Sequence, residues 1–224
     1  MSNAAYPQHA ARLAALDSCA LSDALDSLGL PPAVTGLGVL GARVRVAGPV
    51  VTVKLAAGTA PGGSKRHLGT GAIEAARPGD LIVIEHSSGT ECAGWGGVLS
   101  AGAQLRGVAG VIIDGPARDV DETVALHFPL YGRSACARTA RGRVYEESFN
   151  DPIRIGGIDV QPGDYALADS SGVAFVPADR LDEVLTRAER IAERERLMIR
   201  ALRNGEPITR VVGRDYETML DKLD

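Results

Sequence analysis

Residues 81–119 read LIVIEHSSGTECAGWGGVLSAGAQLRGVAGVIIDGPARD, and this stretch decides the fold. The apolar runs at 81–84 and 110–113 are typical of buried strands, and the run at 98–105 between them predicts a helix. A strand, a helix and a second strand form a βαβ unit, whose crossover is right-handed in nearly all proteins. The ends of both strands should therefore open on one edge of the sheet, where ligands commonly bind.

The flanking sequence extends this unit. Alternating residues predict two strands at 43–46 and 50–53, joined at Gly48-Pro49. Ser22 or Asp23 is a suitable cap for a helical turn that runs through Leu28. The other predicted elements are two helical pieces within 10–28, a helix around 68–76, a long amphipathic helix from about 179 to 203 and five short strands at 144–145, 153–155, 158–160, 165–167 and 173–176.

No internal repeat or linker separates these elements, so the sequence predicts one mixed α/β domain over residues 1–224.

The composition bears on possible partners. Lys and Arg number 24 against 28 Asp and Glu, and aromatic residues make up only 4%. This composition lacks the basic surface and the stacking residues that nucleic-acid binding requires. No apolar run approaches the roughly 18 residues of a membrane span, and no secretory signal is visible. We therefore expect a cytoplasmic protein with neither a nucleic-acid nor a membrane partner.

Residues with useful chemistry follow both strands of the βαβ unit. The segment 94–97, Gly-Trp-Gly-Gly, stands at a helix start, where free N–H groups and the helix dipole suit a carboxylate or phosphate. After the second strand, Arg118 suits two-pronged binding of a carboxylate, and Asp119 suits a hard divalent cation. The alternative is a plain glycine turn beside a surface ion network of Arg118 with its neighbouring acids.

The segments 95–103 and 107–115, followed by Arg118-Asp119, together resemble the core of the RraA-like proteins. This family includes class II 4-hydroxy-4-methyl-2-oxoglutarate aldolases. The resemblance covers roughly residues 20–200 and implies a swivelling β/β/α fold. It also implies a homotrimer or a hexamer with the active site between subunits, in which the N-terminal helical segment and the C-terminal helix and tail make oligomer contacts. Further landmarks that agree are Ser22-Asp23-Ala24-Leu25, Pro78-Gly79-Asp80, Pro162-Gly163-Asp164 and the segment 168–177.

The resemblance implies a metal-dependent lyase. Aldolase members cleave 4-hydroxy-2-oxo acids to pyruvate and decarboxylate oxaloacetate with Mg²⁺ or Mn²⁺, through a metal-stabilised pyruvate enolate. By the family's motif, Asp119 would be the direct metal ligand, and Arg118 would bind the substrate and stabilise the enolate. The backbone at four consecutive residues would contact the substrate carboxylate: Gly96, Gly97, Val98 and Leu99.

At one position the chain departs from the aldolase pattern. Twenty residues separate Gly97 from Arg118, and the metal-binding aldolases carry an acid where Gly97 stands. Its loss predicts a weaker metal site, a ligand taken over by Glu91 or Asp114, or a different acid substrate for which Gly97 leaves room. Glu122 fits the aldolase spacing, whereas the non-catalytic branch of the family, which binds and inhibits ribonuclease E, lacks an acid at this position. Gly97 departs from the aldolase pattern and Glu122 from the regulator pattern. The regulatory role is therefore the alternative function.

Two further residues are candidates. Glu195 falls within the apolar stripe of the last helix, and by the family pattern it would hold a metal-bound water in a neighbouring subunit's site. Glu193 is its neighbour in sequence, and a salt bridge is the structural alternative. His67 follows a glycine-rich loop and could transfer protons near neutral pH, unless it is simply an exposed or capping histidine.

Overall fold

The computed structural model describes residues 6–63, 67–86 and 88–213, which form a mixed α/β fold with a curled sheet. The C-terminal tail beyond residue 213, where oligomer contacts are expected, lies outside the described residues. The helices are α1 (Tyr6–Ala14), α2 (Ser18–Ser27), α3 (Thr70–Ala75), α4 (Gly97–Leu105), α5 (Val120–Ala125), α6 (Leu181–Arg203) and α7 (Ile208–Val211). The strands are β1 (Gly38–Val39), β2 (Val46–Ala57), β3 (Leu81–Glu85), β4 (Gly110–Ala117), β5 (Leu130–Ala135), β6 (Val144–Phe149), β7 (Ile153–Ile155), β8 (Ile158–Val160), β9 (Tyr165–Ala168) and β10 (Val173–Val176).

Strand β2 organises the sheet. Its residues 46–49 pair antiparallel with β9, its residues 50–54 pair parallel with β3, and its last residues pair antiparallel with β6. The strand order is β1-β5-β4-β3-β2-β9-β10. Because β3, β4 and β5 continue the parallel pairing, β2 joins a parallel half of the sheet to an antiparallel half.

The sheet curls so that its two halves share one apolar core. Ile112 of β4 and Phe175 of β10 belong to the same cluster of buried side chains, together with Ile153 of β7. On the other face of the parallel half, α3 and α4 pack against the cluster that contains Ile82. The other face of the antiparallel half, which includes Leu167, is covered by α1, α2 and α6. Strands β3 and β4 are therefore buried on both faces, as continuous apolar runs in parallel strands predict.

The same turn precedes β3 and β9. In the first, the Asp80 N–H donates to the Arg77 carbonyl at 3.0 Å, and the Asp80 carboxylate accepts the Arg77 N–H at 2.8 Å. Asp164 repeats both bonds with Gln161, at 3.1 and 2.8 Å. Its second carboxylate oxygen accepts the Ala178 N–H at 2.9 Å, just before α6. These buried carboxylates fix the entry of the chain into a core strand.

The predicted break at Gly48-Pro49 is wrong, because β2 is continuous and residues 43–45 form no strand. A side chain at Gly48 would collide with the carbonyl oxygen of Gly79, so this glycine permits close packing rather than a turn. Pro49, which has no N–H to donate, stands where β2 exchanges β9 for β3 as its partner. Both residues therefore mark the switch between the two halves of the sheet.

The predicted cap of the second helix is also wrong. Helix α2 begins earlier, at Ser18, and its cap is Asp17, whose carboxylate accepts the Ala20 N–H at 2.8 Å. The predicted βαβ unit is confirmed as β3, α4 and β4, and the long helix is confirmed as α6. Strand β5 was not predicted. No helix among the described residues is long and apolar enough to cross a membrane.

Replacing Asp164 with alanine should lower the free energy of unfolding by about 1–3 kcal/mol, because two backbone N–H groups lose the buried carboxylate that accepts their hydrogen bonds. Urea unfolding followed by the fluorescence of Trp95, the one tryptophan of the chain, measures the change. The control is Asp159→Ala, since this carboxylate is 82% exposed and lies 3.8 Å from Arg154. That change should cost at most a few tenths of a kcal/mol. Equal effects of the two substitutions would contradict the role of Asp164.

Candidate functional site

The loops that follow β3 and β4 lie side by side because the two strands are parallel neighbours in register. The Gly94 N–H donates to the Pro116 carbonyl at 2.9 Å, and the Arg118 N–H donates to the Trp95 carbonyl at 3.0 Å. These backbone bonds bring the glycine-rich segment against Arg118-Asp119, as the βαβ prediction requires.

Asp119 caps helix α4 from the neighbouring loop. Gly96 precedes the helix and has no side chain to cap it, and the Gly97 N–H donates instead to Asp119 Oδ2 at 3.0 Å. A carboxylate at a helix N-terminus is favoured by the unpaired N–H groups and by the helix dipole. Part of the expected anion site is therefore filled by the protein's own carboxylate.

The backbone of Asp119 adopts the left-handed conformation, with φ 53° and ψ 44°. This region is uncommon for residues other than glycine, although Asp and Asn enter it most readily. The Asp119 carbonyl accepts both the Thr123 N–H and the Thr123 Oγ1 hydroxyl, each at 3.0 Å. The conformation turns the chain sharply between β4 and α5 and directs the Asp119 side chain to α4.

A side chain at Gly96 would collide with Asp119, and one at Gly97 would press against it. A Cβ at Gly96 would lie 2.8 Å from Asp119 Oδ2, and one at Gly97 would lie 3.1 Å from the Asp119 Cβ and 3.4 Å from the Glu122 Cβ. The expectation that Gly97 leaves room for a bulkier substrate is therefore wrong. The missing side chain makes way for Asp119, which accepts the Gly97 N–H.

A cavity of about 1050 Å³ opens beside this pair of loops. The strand β6 and the turn before it, including Arg141, Tyr145 and Glu146, contribute another part of its wall. The Glu146 carboxylate accepts the Gly69 N–H at 2.6 Å, which ties that wall to the start of α3. Six of the predicted site residues line the cavity: His67, Gly96, Val98, Leu99, Arg118 and Asp119.

Arg118 and Asp119 form an ion pair within the cavity. Arg118 Nε lies 3.1 Å from Asp119 Oδ1, and the two side chains are 40% and 33% exposed. Among the described residues, no other acid lies within ion-pair distance of Arg118, so the predicted wider ion network is not formed. Because the bond uses Nε, the terminal amino groups of the guanidinium remain for a ligand. The pair can therefore offer a cation and a carboxylate to one small molecule.

Three predicted residues do not line the cavity. Gly97 is buried and donates its N–H to Asp119, and Glu122 is exposed with its Cβ directed to Gly97. Glu195 lies in a separate cleft with Asp17, Cys19 and Asp169. Partial burial, followed by the charges of Asp17 and Asp23, raises the pKa of Glu195. Within the described part of the single chain, Glu195 forms no salt bridge and does not join Arg118.

The alternative metal ligands Glu91 and Asp114 also lie outside the cavity lining. Asp114 accepts Arg133 Nε at 2.6 Å and the Gly156 N–H at 2.7 Å, so its carboxylate holds the β7-β8 hairpin against the sheet edge. Glu91 is 89% exposed and lies 3.8 Å from Arg138. Neither acid therefore lines the cavity with Asp119 in the single chain.

Two buried hydroxyl residues near the site were not predicted. Ser100 follows Gly96 by one helical turn, and Thr123 follows Asp119 by one turn; both are fully buried. Ser100 Oγ accepts the Trp95 Nε1–H at 2.9 Å and lies 3.2 Å from Thr123 Oγ1. For Ser100 a sequence signal is present, because it lies on the face of α4 that also buries Ala103. Thr123 has no such signal, because it is the one buried residue of α5.

The fold and the cavity define an α/β protein with a paired Arg-Asp site at the ends of parallel strands. The chain belongs to the RraA-like family, whose model, described as Aldolase/RraA, matches residues 18–175. A protein of Halalkalibacterium halodurans, provisionally named 4-hydroxy-4-methyl-2-oxoglutarate aldolase, is 33% identical over 76% of this chain and 77% of its own length.

Other relatives agree with this family. Protein DlpA of Legionella pneumophila is 27% identical over 86% of this chain, which spans 31% of that longer protein. A solved structure from Pseudomonas syringae superposes with a TM-score of 0.83 at 29% identity, covering 92% of this chain and 98% of the other. RraAS2 of Streptomyces coelicolor, an unusual member of an RNase ES inhibitor family, shares the fold with a TM-score of 0.75 at 22% identity, over 85% and 94% of the two chains.

The close approach of Gly97 and Asp119 predicts opposite effects for two glycines of α4. Gly97→Ala should displace Asp119 by a few tenths of an ångström and weaken any function of the Arg118-Asp119 pair, because the new Cβ meets the Asp119 Cβ. Gly102→Ala has open space and should stabilise the protein by about 1 kcal/mol through helix propensity. Urea unfolding measures the stability of both variants. Calorimetric titration with oxalate, a small dicarboxylate, measures their ligand binding. A Gly97→Ala protein with wild-type stability and binding would overturn the packing argument.

Proposed function

We propose that this protein is a lyase that cleaves a 4-hydroxy-2-oxo dicarboxylic acid to pyruvate and decarboxylates oxaloacetate. The observation that carries the proposal is the Arg118-Asp119 pair, exposed to a large cavity beside the first turn of α4. The name of the Halalkalibacterium relative supports the same reaction class. Both substrates contain a 2-oxo carboxylate, and both reactions place negative charge on the oxygen of a pyruvate enolate.

Mg²⁺ or Mn²⁺ is the proposed cofactor, with Asp119 as the direct ligand. Asp119 uses only part of the acceptor capacity of its carboxylate on Gly97 and Arg118, so an oxygen lone pair remains for a hard cation. Among the described residues, no three His, Cys, Asp or Glu side chains converge as a metal site. One carboxylate is still a suitable donor set, because Mg²⁺ keeps several waters and takes further oxygens from its substrate. The metal, when bound, would act as a Lewis acid toward the substrate oxygens.

The residues of the chain have separate tasks in this proposal. Arg118 binds the substrate carboxylate and neutralises charge as the enolate forms, and its bond to Asp119 keeps the guanidinium oriented. Val98 and Leu99 line the cavity in the first turn of α4, and we assign their unpaired backbone N–H groups to the same substrate carboxylate. His67 lines the cavity with Nδ1 3.2 Å from the Leu68 carbonyl, and we assign its other nitrogen a proton-transfer role.

We further propose that the protein assembles as a homotrimer or a hexamer. Val98 and Leu105 on α4 are each 88% exposed, which is unusual for apolar side chains and suits a face covered by another subunit. In such an assembly, Glu195 would contribute to the cavity of a neighbouring subunit, where it would hold a metal-bound water. Glu122 would act through the Asp119 turn rather than on the substrate. Sedimentation equilibrium measures the number of subunits.

The proposal predicts metal-dependent release of pyruvate from oxaloacetate by the purified protein. Arg118→Ala should lower kcat/KM by about a hundredfold or more, because it removes the charge that balances the enolate. Asp119→Ala should abolish the response to Mg²⁺ or Mn²⁺. The control is Arg138→Ala, which removes the same charge from a residue that pairs with exposed Glu91 and does not line the cavity. A coupled lactate dehydrogenase assay, corrected for decarboxylation by free metal, measures the rates.

Wild-type rates in both site variants would show that the Arg118-Asp119 assignment is wrong. Absence of both turnover and oxalate binding in the wild-type protein, with either metal, would favour the alternative of a non-catalytic regulator of ribonuclease E. A family enzyme with a different acid substrate would release no pyruvate from oxaloacetate but would still bind oxalate in an Arg118-dependent manner. The three functions therefore give three different results.

A further inference from the structure

A closed ring of hydrogen bonds surrounds the backbone of Arg118 and Asp119. The Arg118 N–H donates to the Trp95 carbonyl at 3.0 Å, and the Trp95 Nε1–H donates to Ser100 Oγ at 2.9 Å. Ser100 Oγ lies 3.2 Å from Thr123 Oγ1, which donates to the Asp119 carbonyl at 3.0 Å. The ring thus begins and ends on the two residues to which the proposed function assigns the chemistry.

The protons of the two hydroxyls can give the side-chain part of the ring one direction. The Asp119 carbonyl can only accept, and the Thr123 hydroxyl donates its single proton there. The Ser100 hydroxyl, whose oxygen accepts the Trp95 Nε1–H, then has two acceptors within reach: Thr123 Oγ1 at 3.2 Å and the Gly96 carbonyl at 3.3 Å. When Ser100 donates to Thr123, the chain from the Trp95 indole N–H to Asp119 is polarised in one sense, and such chains strengthen each member.

The ring is deeply buried. Ser100 and Thr123 are 0% exposed and Trp95 is 2% exposed, yet Trp95 also lines the cavity. Buried hydroxyl groups are costly unless they are paired, and both are fully paired here. A non-glycine residue in the left-handed region, such as Asp119, persists only where its surroundings determine its conformation. Thr123 supplies two of the bonds that do so.

We infer that Ser100 and Thr123 are positioning residues that hold the Arg118-Asp119 turn in the shape required for its chemistry. The catalytic part of this inference rests on the proposed function. Neither hydroxyl touches a substrate; each acts through the backbone of Asp119 and through Trp95. The Asp119 carboxylate is thereby presented to Gly97 and Arg118 on one side and to the cavity on the other.

Thr123→Val is the decisive variant, because valine keeps the shape and removes the hydroxyl. It leaves no buried donor without a partner: the Ser100 hydroxyl still has the Gly96 carbonyl, at 3.3 Å, and the Asp119 carbonyl keeps the Thr123 N–H. The variant should therefore fold. The Gly97 N–H donates to the Asp119 carboxylate, and the Arg118 N–H donates to the Trp95 carbonyl. Amide hydrogen exchange at Gly97 and Arg118 should accelerate by about tenfold, because the lost hydrogen bond no longer holds these two acceptors in place.

The kinetic readout separates positioning from general stability. In Thr123→Val, kcat for oxaloacetate decarboxylation should fall by about tenfold with a smaller change in KM, because misplaced groups lose rate more than binding. Thr123→Ser restores the hydroxyl and should recover the rate. Ser100→Ala should lower kcat in the same direction and shift the emission of Trp95, whose N–H loses its acceptor.

The matched control is Thr186→Val on α6. Thr186 Oγ1 donates to the Asp182 carbonyl, four residues earlier, at 2.8 Å, which is the bond that Thr123 makes to Asp119. This variant should leave kcat and the exchange of Gly97 and Arg118 unchanged. The Ala109 amide, which donates to the Asp80 carbonyl at the other end of the sheet, serves as the reference for global opening.

Each outcome decides the inference. Wild-type exchange at Gly97 and Arg118 in Thr123→Val would overturn it, and so would faster exchange with an unchanged kcat in an active enzyme. If the wild-type protein shows no turnover, the proposed function fails and the exchange data alone decide whether the hydroxyl pair holds the turn. Failure of the positioning role and failure of the lyase proposal are therefore distinguishable.

Discussion

The hydrogen bond from the Gly97 N–H to the Asp119 carboxylate is the contact on which the site depends. It joins the start of α4, which follows β3, to the residue before α5, which follows β4. The bond is possible because β3 and β4 are parallel neighbours. The two glycines before and at the start of α4 follow from it, since a side chain on either would meet Asp119. The left-handed backbone of Asp119 follows as well, because that conformation carries the carboxylate from the end of β4 to α4.

The acids at the carboxyl ends of β3 and β4 have two roles: Glu85 and Asp114 hold the fold together, and Asp119 lines the cavity. The Glu85 and Asp114 carboxylates, at paired positions of β3 and β4, accept the Arg154 and Gly156 N–H groups, each at 2.7 Å. They bind the β7-β8 hairpin over that part of the edge. Asp119 lies beyond the hairpin and faces the cavity. A ligand is therefore directed to the side where Arg118 and the first turn of α4 meet.

Local pattern predicted those parts of the fold in which one segment determines its own structure. The apolar runs of β3 and β4 and the stripe of α6 are of this kind. Gly48 was misread because its close neighbour, the Gly79 carbonyl, comes from a distant turn. Strand β5 was missed because half of its six residues are exposed, which leaves no apolar run to detect.

The site shows the same division. Six predicted residues line one cavity because they follow neighbouring parallel strands, which a sequence can indicate. The structural commitment of Asp114 depends on Arg133 and on a later hairpin, and the role of Thr123 depends on a backbone conformation that no spacing reveals. The ion pair of Arg118 and Asp119 joins sequence neighbours, but no sequence pattern could show that Asp119 occupies the space beside Gly97.

The passage of β2 through both halves of the sheet limits how this fold can be inherited. A recombination event that exchanged only the parallel half, or only the antiparallel half, would have to cut within Val46–Ala57 and would leave each fragment with only part of the strand that joins them. The two halves therefore cannot be shuffled as separate modules between genes, and changes in one half are selected together with the packing of the other.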